Sequence, residues 1–166
     1  MRARKAKGDG QKFTSLVAEQ EDSFERPTVT LAVTEPELEQ LLTEVAFTRN
    51  YGFRLHSIGD GECAISVPFQ QAFERPGGIV SGQVFMAAAD VAMWLAIMTR
   101  LGKSQAGVTA EMKTSFLSGA RQEDFLCRAR ILKLGKRLVF GVAECVNQDG
   151  KILAHHTITY IRPDGA

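Results

Sequence analysis

From Val84 to Met98 every residue of the chain is apolar except Asp90. Ala87, Ala88 and Ala89 favour helix, and the run is too long for an ordinary strand. It is short for a membrane span, which takes about 20 apolar residues, and it carries a charge at its middle. A helix that is apolar on all sides must be covered on all sides. A curved sheet wrapped around the helix meets that demand, so the rest of the chain is expected to supply strands.

It does. Before the run, Thr34 and Glu37 have the spacing of a capping box, and Leu38, Leu41, Leu42 and Val45 follow at helical spacing. This predicts a helix ending near Asn50 and Gly52. Phe53–Ile58 and Cys63–Val67 predict two strands joined through Gly59-Asp60-Gly61, and Arg75-Pro76-Gly77-Gly78 predicts a turn-rich loop. After the run, Val108, Ala110, Met112 and Phe116 alternate with Thr109, Glu111, Lys113 and Ser115, and Phe125, Cys127, Ala129 and Ile131 alternate with Arg128, Arg130 and Leu132. Leu138–Val146 and Ile152–Ile161 predict two more strands, joined by the hairpin turn Asn147-Gln148-Asp149-Gly150. The expected class is α+β: an antiparallel sheet of five to six strands around a long central helix. Residues 1–33 show no core period and are expected to form a flexible tail, with one domain over 34–166.

Charge and cysteine usage narrow the function. A formal net charge of +1 gives no basic excess to draw the chain to nucleic acid or a membrane surface. Cys63, Cys127 and Cys145 are odd in number and widely spaced, which suits a reducing cytoplasm rather than a disulfide framework. The basic N-terminus (Arg2, Arg4, Lys5, Lys7) has no apolar segment after it of the kind a secretory signal needs. His56, His155 and His156 fall on predicted strands without a carboxylate or cysteine at zinc-ligand spacing, so no metal is expected. Gly77-Gly78 lacks the lysine and the spacing of a phosphate loop.

The order helix, two strands, buried helix, four strands resembles the hotdog fold. Ser81-Gly82-Gln83, followed after six residues by Asp90, is similar to the His-Gly-Gly, six residues, Asp or Glu stretch that opens the central helix of PaaI-like acyl-CoA thioesterases. Thr109–Leu117 is similar to their third-strand pattern, and Lys133–Arg137 and Asn147–Gly150 stand at their hairpin turns. The resemblance covers roughly Thr34 to Pro163. It departs from the family where Ser81 replaces the histidine and Gln83 the second glycine. It implies hydrolysis of an acyl-CoA or related thioester, no cofactor, and a homodimer or dimer of dimers. The missing histidine is what favours the alternative, a non-catalytic domain that binds acyl-CoA or pairs with another protein. The lack of a histidine paired with a carboxylate speaks against a hydratase.

Within that frame Asp90 is the candidate catalytic carboxylate, as general base or nucleophile. Burial in the apolar run is expected to make it more basic. Its structural alternatives are a loop cap or a partner for a buried arginine. Gly82 would open the helix, where free N–H groups and the helix dipole can hold a thioester oxyanion; the alternative is a glycine that only starts the helix. Ser81 reads first as the N-cap, with no histidine nearby to make it a nucleophile. Gln83 and Arg75 are candidate substrate contacts. Lys133, Lys136 and Arg137 cluster at one turn that could attract the phosphates of coenzyme A, or be an ordinary surface turn. Phe85, Met86, Met93 and Trp94 could line an acyl pocket or be plain core. Gly82 and Asp90 are too far apart on one helix to meet at one carbonyl, so the site is expected to be shared between two subunits.

Overall fold

The structure, a computed structural model, describes residues 30–104 and 107–163. The tail expected over residues 1–33 lies outside the described residues up to residue 29. The packed body takes in residues just ahead of Thr34: the Ala32 N–H donates to Thr99 O at 2.8 Å, and Val33 is buried.

Two short helices lead, α1 (Glu35–Glu44) and α2 (Ala46–Tyr51). Strands β1 (Arg54–Gly59) and β2 (Glu62–Val67) follow, then a small pair, β3 (Glu74–Arg75) and β4 (Ile79–Val80). The central helix α3 spans Gly82–Leu101, and β5 (Val108–Phe116), β6 (Phe125–Leu134), β7 (Leu138–Val146) and β8 (Ile152–Ile161) complete the chain. Six strands form one antiparallel sheet in the order β1-β2-β6-β7-β8-β5, with α3 packed on its inner face. This is the hotdog arrangement that the order of elements implies.

At the start of α1, Glu37 Oε2 accepts from the Thr34 N–H at 2.9 Å and from the Thr34 hydroxyl at 3.0 Å. The helix expected to run on to Asn50 instead breaks at Val45, whose backbone is extended (φ −72, ψ 119). The buried Thr48 hydroxyl lies 2.8 Å from Leu42 O and 2.9 Å from Val45 O, offering a donor where the break interrupts the main-chain ladder. Apolar spacing runs through such a break unchanged, so periodicity could not show it. The Arg75–Gly78 loop is a tight turn with positive φ at Gly77 and Gly78, closing a ladder too short to leave an alternating pattern.

The sheet meets α3 closely at β7. A Cβ on Gly141 would lie 2.4 Å from Met93 Cε and 2.6 Å from Arg130 O, so only glycine lets the helix and the neighbouring strand in together. The C-terminal end of α3 is pinned to the β1–β2 turn. Arg100 pairs with Asp60 through Nε and Nη2, which holds the Asp60 carboxyl below its usual range, and the Gly61 N–H donates to Thr99 Oγ1 at 2.9 Å.

One expectation is corrected here. The helix is not covered on all sides. Gln83 and Met86 are exposed, and Ala87, Asp90 and Trp94 are only half-buried. These residues recur at helical spacing and make one open stripe. A single sheet wraps most of a helix but leaves the side facing away from it. By length and composition α3 would also suffice to cross a bilayer, but 67% of its apolar stretch is buried within the chain itself.

Candidate active site

Asp90 stands on the open stripe of α3. Its Oδ1 accepts from the Thr109 hydroxyl of β5 at 2.5 Å and from the Tyr160 hydroxyl of β8 at 2.7 Å. The Tyr160 oxygen also lies 3.0 Å from the Asp90 main-chain carbonyl. Both bonds to the carboxylate fall on one oxygen, and among the described residues no donor engages Oδ2. Thr109 and Tyr160 are directly paired in the β5–β8 ladder, so sheet register sets both donors at the same level of the helix. Burial, and then the charge of Asp90, push the Tyr160 phenol well above its ordinary range, so it remains a proton donor. The partners of Asp90 are therefore hydroxyls, neither a buried arginine nor a loop, and the carboxylate is half-buried rather than enclosed.

Gly82 opens α3 as expected. The N–H groups of Gly82 and Gln83 have no helical carbonyl one turn behind them. Ser81 occupies the N-cap position with extended backbone, but its side chain makes no cap hydrogen bond; its N–H instead donates to Phe73 O at 2.8 Å. Capping is thus positional only, and the β3–β4 hairpin fixes where the helix begins. Gly82 borders a hollow of about 450 Å³ that Arg75, Phe85, Phe116 and Leu117 also line. A Cβ on Gly82 would lie 2.8 Å from two ring carbons of Phe116, which gives this glycine a packing reason beside any substrate.

The structure therefore brings Arg75 and Gly82 together and leaves Ser81 beside them. Gln83 points out on the same stripe as Asp90, two turns away. Lys136 and Arg137 lie elsewhere, exposed on the β6–β7 turn. Leu138 pairs with Ile161 and Val139 with Tyr160, so that turn sits at the end of the sheet from which Tyr160 reaches Asp90. Arg162 joins it, with its N–H donating to Arg137 O at 2.8 Å and its Nη1 to Gly135 O at 3.1 Å. Of the candidate pocket residues, Phe85 lines the hollow, Met93 is core against Gly141, and Met86 and Trp94 lie on the open stripe.

Sequence reasoning missed Thr109, Tyr160 and Phe116 as site residues. Tyr160 and Phe116 occupy inward strand positions, but alternation does not say which inward residue meets which helix residue. Thr109 falls on the polar phase of the Val108-Ala110-Met112 alternation, and the bulge between Thr109 and Glu111, which the pattern does not show, shifts the phase so that Thr109 meets Asp90. Of the histidines, His156 points inward, fully buried between Thr114 (2.9 Å from Nδ1) and the Cys145 thiol (3.8 Å from Nε2). A second hollow, about 480 Å³, lies on the outer face of β1, β2, β6 and β7, remote from Asp90 and Gly82. There Glu62 faces Arg130 and Arg128 faces Glu144 across the ladders, so its charges are largely self-compensated.

Comparison with known proteins gives the family. The family model of the thioesterase superfamily matches residues 77–154, from the β3–β4 turn into β8. A Saccharolobus solfataricus protein named as an esterase is 33% identical over 103 residues, which span 62% of this chain and 68% of that protein. A crystal structure of a thioesterase from Silicibacter sp. TM1040 is 30% identical with a TM-score of 0.72, covering 80% of this chain and 94% of that one. A Streptococcus pneumoniae thioesterase protein, crystallised with coenzyme A, shares the fold at 14% identity and a TM-score of 0.62, over 67% of this chain and 85% of that one. By sequence identity over most of the length of these relatives and by the shared fold, the chain belongs to the thioesterase superfamily and is a thioester hydrolase.

Proposed function

We propose that the chain hydrolyses an acyl-CoA thioester at a site shared by two copies of itself, with Asp90 as general base or nucleophile and the α3 N-terminus at Gly82 as oxyanion hole. The observation that carries this reading is the open stripe of α3. It holds Gly82 at one end and Asp90 near its middle, eight residues apart, a separation of about 12 Å at a rise of ~1.5 Å per residue. One thioester carbonyl cannot meet both within a chain. A second α3 packed antiparallel on the same stripe about a two-fold axis brings Gly82 of one copy toward Asp90 of the other.

Two features support the pairing. The stripe presents Met86, Ala87 and Trp94, apolar surface that the chain's own sheet leaves uncovered. Among the described residues, strand β5 is the edge of the sheet beside it, paired on one side only, by β8, with Val108 and Phe116 exposed. An unpaired edge next to an uncovered apolar stripe suits a second copy, whose β5 can extend the sheet while the helices meet. The preference for a CoA ester draws on the basic β6–β7 turn and on the fold shared with the coenzyme A-bound protein.

In the base form of the mechanism, Asp90 takes a proton from water and the oxygen adds to the acyl carbon. The carbonyl electron pair moves onto its oxygen, where the Gly82 N–H stabilises the charge. Collapse expels the thiolate, which takes up a proton, leaving free acid and thiol. In the nucleophile form, Asp90 itself adds to the acyl carbon, the C–S bond breaks and the thiolate leaves and takes up a proton; water then cleaves the resulting anhydride, returning the Asp90 carboxylate and the free acid.

Thiol release from a panel of acyl-CoAs tests the substrate class. Asp90→Asn keeps shape and removes charge, and is expected to lower kcat on the order of a hundredfold or more without changing the oligomer. Mixing Asp90→Asn chains with chains altered only at Gly82 should restore part of the activity, because some mixed dimers hold one intact site. A fully active Asp90→Asn variant, or an active monomer, would sink the proposal.

A further inference from the structure

We infer that Tyr160 is a positioning residue for the reaction, fixing Asp90 through Oδ1 so that Oδ2 faces the open stripe as the reacting oxygen. The inference rests on the reading of Asp90 as the catalytic carboxylate. Tyr160 is 3% exposed, so its hydroxyl is held by the core rather than by substrate. That hydroxyl lies within hydrogen-bond reach of both the carboxylate (2.7 Å) and the carbonyl (3.0 Å) of the same residue, which ties the side chain and the helix backbone of Asp90 to one point on β8. Thr109 approaches the same Oδ1 at 2.5 Å from the neighbouring strand. Two donors on one oxygen leave the other to be the one that meets water or the acyl carbon. A carboxylate on a half-exposed helix face is otherwise free to rotate about its terminal torsion, which is broad and two-fold.

The surroundings isolate this effect. On β8 itself the inward ionisable residue besides Tyr160 is His156, four residues away and engaged by Thr114 and Cys145. The inward residues of β5 paired along β8 are Thr109, Met112, Thr114 and Phe116, none of them ionisable. The other charged side chain of α3, Arg100, is paired with Asp60. Among the described residues, the hydroxyls of Tyr160 and Thr109 are the donors that engage the Asp90 carboxylate.

Replacement Tyr160→Phe in the full chain keeps the ring and removes the donor. A hydrogen bond to the charged form is lost, so the acid limb of the kcat/KM profile should move to higher pH by about one unit. kcat should fall on the order of tenfold, with KM for the best acyl-CoA of the panel little changed. A limb that stays in place, with activity that merely follows a lower Tm, would overturn the inference and leave Tyr160 a packing residue. Unchanged kcat would do the same. Should Tyr160→Phe fail to fold, incorporation of 3-fluorotyrosine into a Tyr51→Phe background places a stronger donor at Tyr160 alone, and the limb should then move to lower pH; no movement overturns the inference. Asp90→Asn in the same assay separates the two readings. An inactive Asp90→Asn with an unmoved Tyr160→Phe limb removes only Tyr160, whereas a fully active Asp90→Asn removes the reading on which it rests.

Discussion

Phe116 meets Gly82 at the mouth of the hollow, and the pair shows how a single residue can act on both packing and specificity. The ring occupies the space a side chain at Gly82 would need, yet it is 56% exposed, so it borders the hollow without being core. Phe116→Ala would widen the hollow at little cost in Tm, because little buried surface is lost. It is expected to raise kcat/KM for bulky or long acyl groups relative to acetyl-CoA on the order of tenfold, the scale set by small changes in a hydrophobic pocket. A series of acyl-CoAs differing only in the acyl group checks this. An unaltered preference would show that the acyl chain runs elsewhere.

At the scale of elements, the β6–β7 turn is the candidate for holding the nucleotide. Lys136 and Arg137 are exposed there, and Arg162 from the end of β8 braces the turn through Gly135 and Arg137 carbonyls. Ordering a turn in advance lowers the entropy cost of holding a phosphate, and these two bonds act in that direction. Lys136→Ala with Arg137→Ala is expected to raise KM for acyl-CoAs several-fold, leave thioesters of N-acetylcysteamine unaffected, and flatten the dependence of KM on salt. Equal effects on both kinds of thioester would exclude phosphate contacts. The same ladder that carries this turn carries Tyr160, so one strand pair links the expected nucleotide end to the carboxylate.

For the molecule as a whole, the sheet's inner face buries an ionisable group that makes stability depend on pH. Burial first, and the neighbouring His155 second, lower the pKa of His156 from its ordinary 6.5 to about 4. The unfolded chain thus binds the proton more tightly than the folded one. The stabilisation by neutral His156 is full above the unfolded value and is lost as pH falls toward about 4. Between pH 7 and 4 the stability should drop by a few kcal/mol from this group. His156→Gln, though less stable at pH 7, should show a flatter decline of Tm with acid over that window. An equally steep decline would assign the acid sensitivity to other groups.

What the sequence determined by itself is local. The capping pair Thr34 and Glu37, the strand alternations, the hairpin glycines and the apolar run over α3 all act within a few residues of chain, and from them the order of elements follows. Asp90 was legible for the same reason: one carboxylate in an apolar run is conspicuous without any knowledge of its neighbours. Tertiary structure alone decided what Asp90 touches, because Thr109 and Tyr160 reach it only through the register of two strands far apart in the chain. It also decided that Val45 breaks the first helix, that Ser81 caps by position without its hydroxyl, and that Phe116 closes over Gly82. Above all it decided that one stripe of the central helix stays open. Hydrophobicity says that a helix must be covered, but only the curvature of this sheet sets how far around the helix it reaches, and that limit leaves Asp90 in the opening.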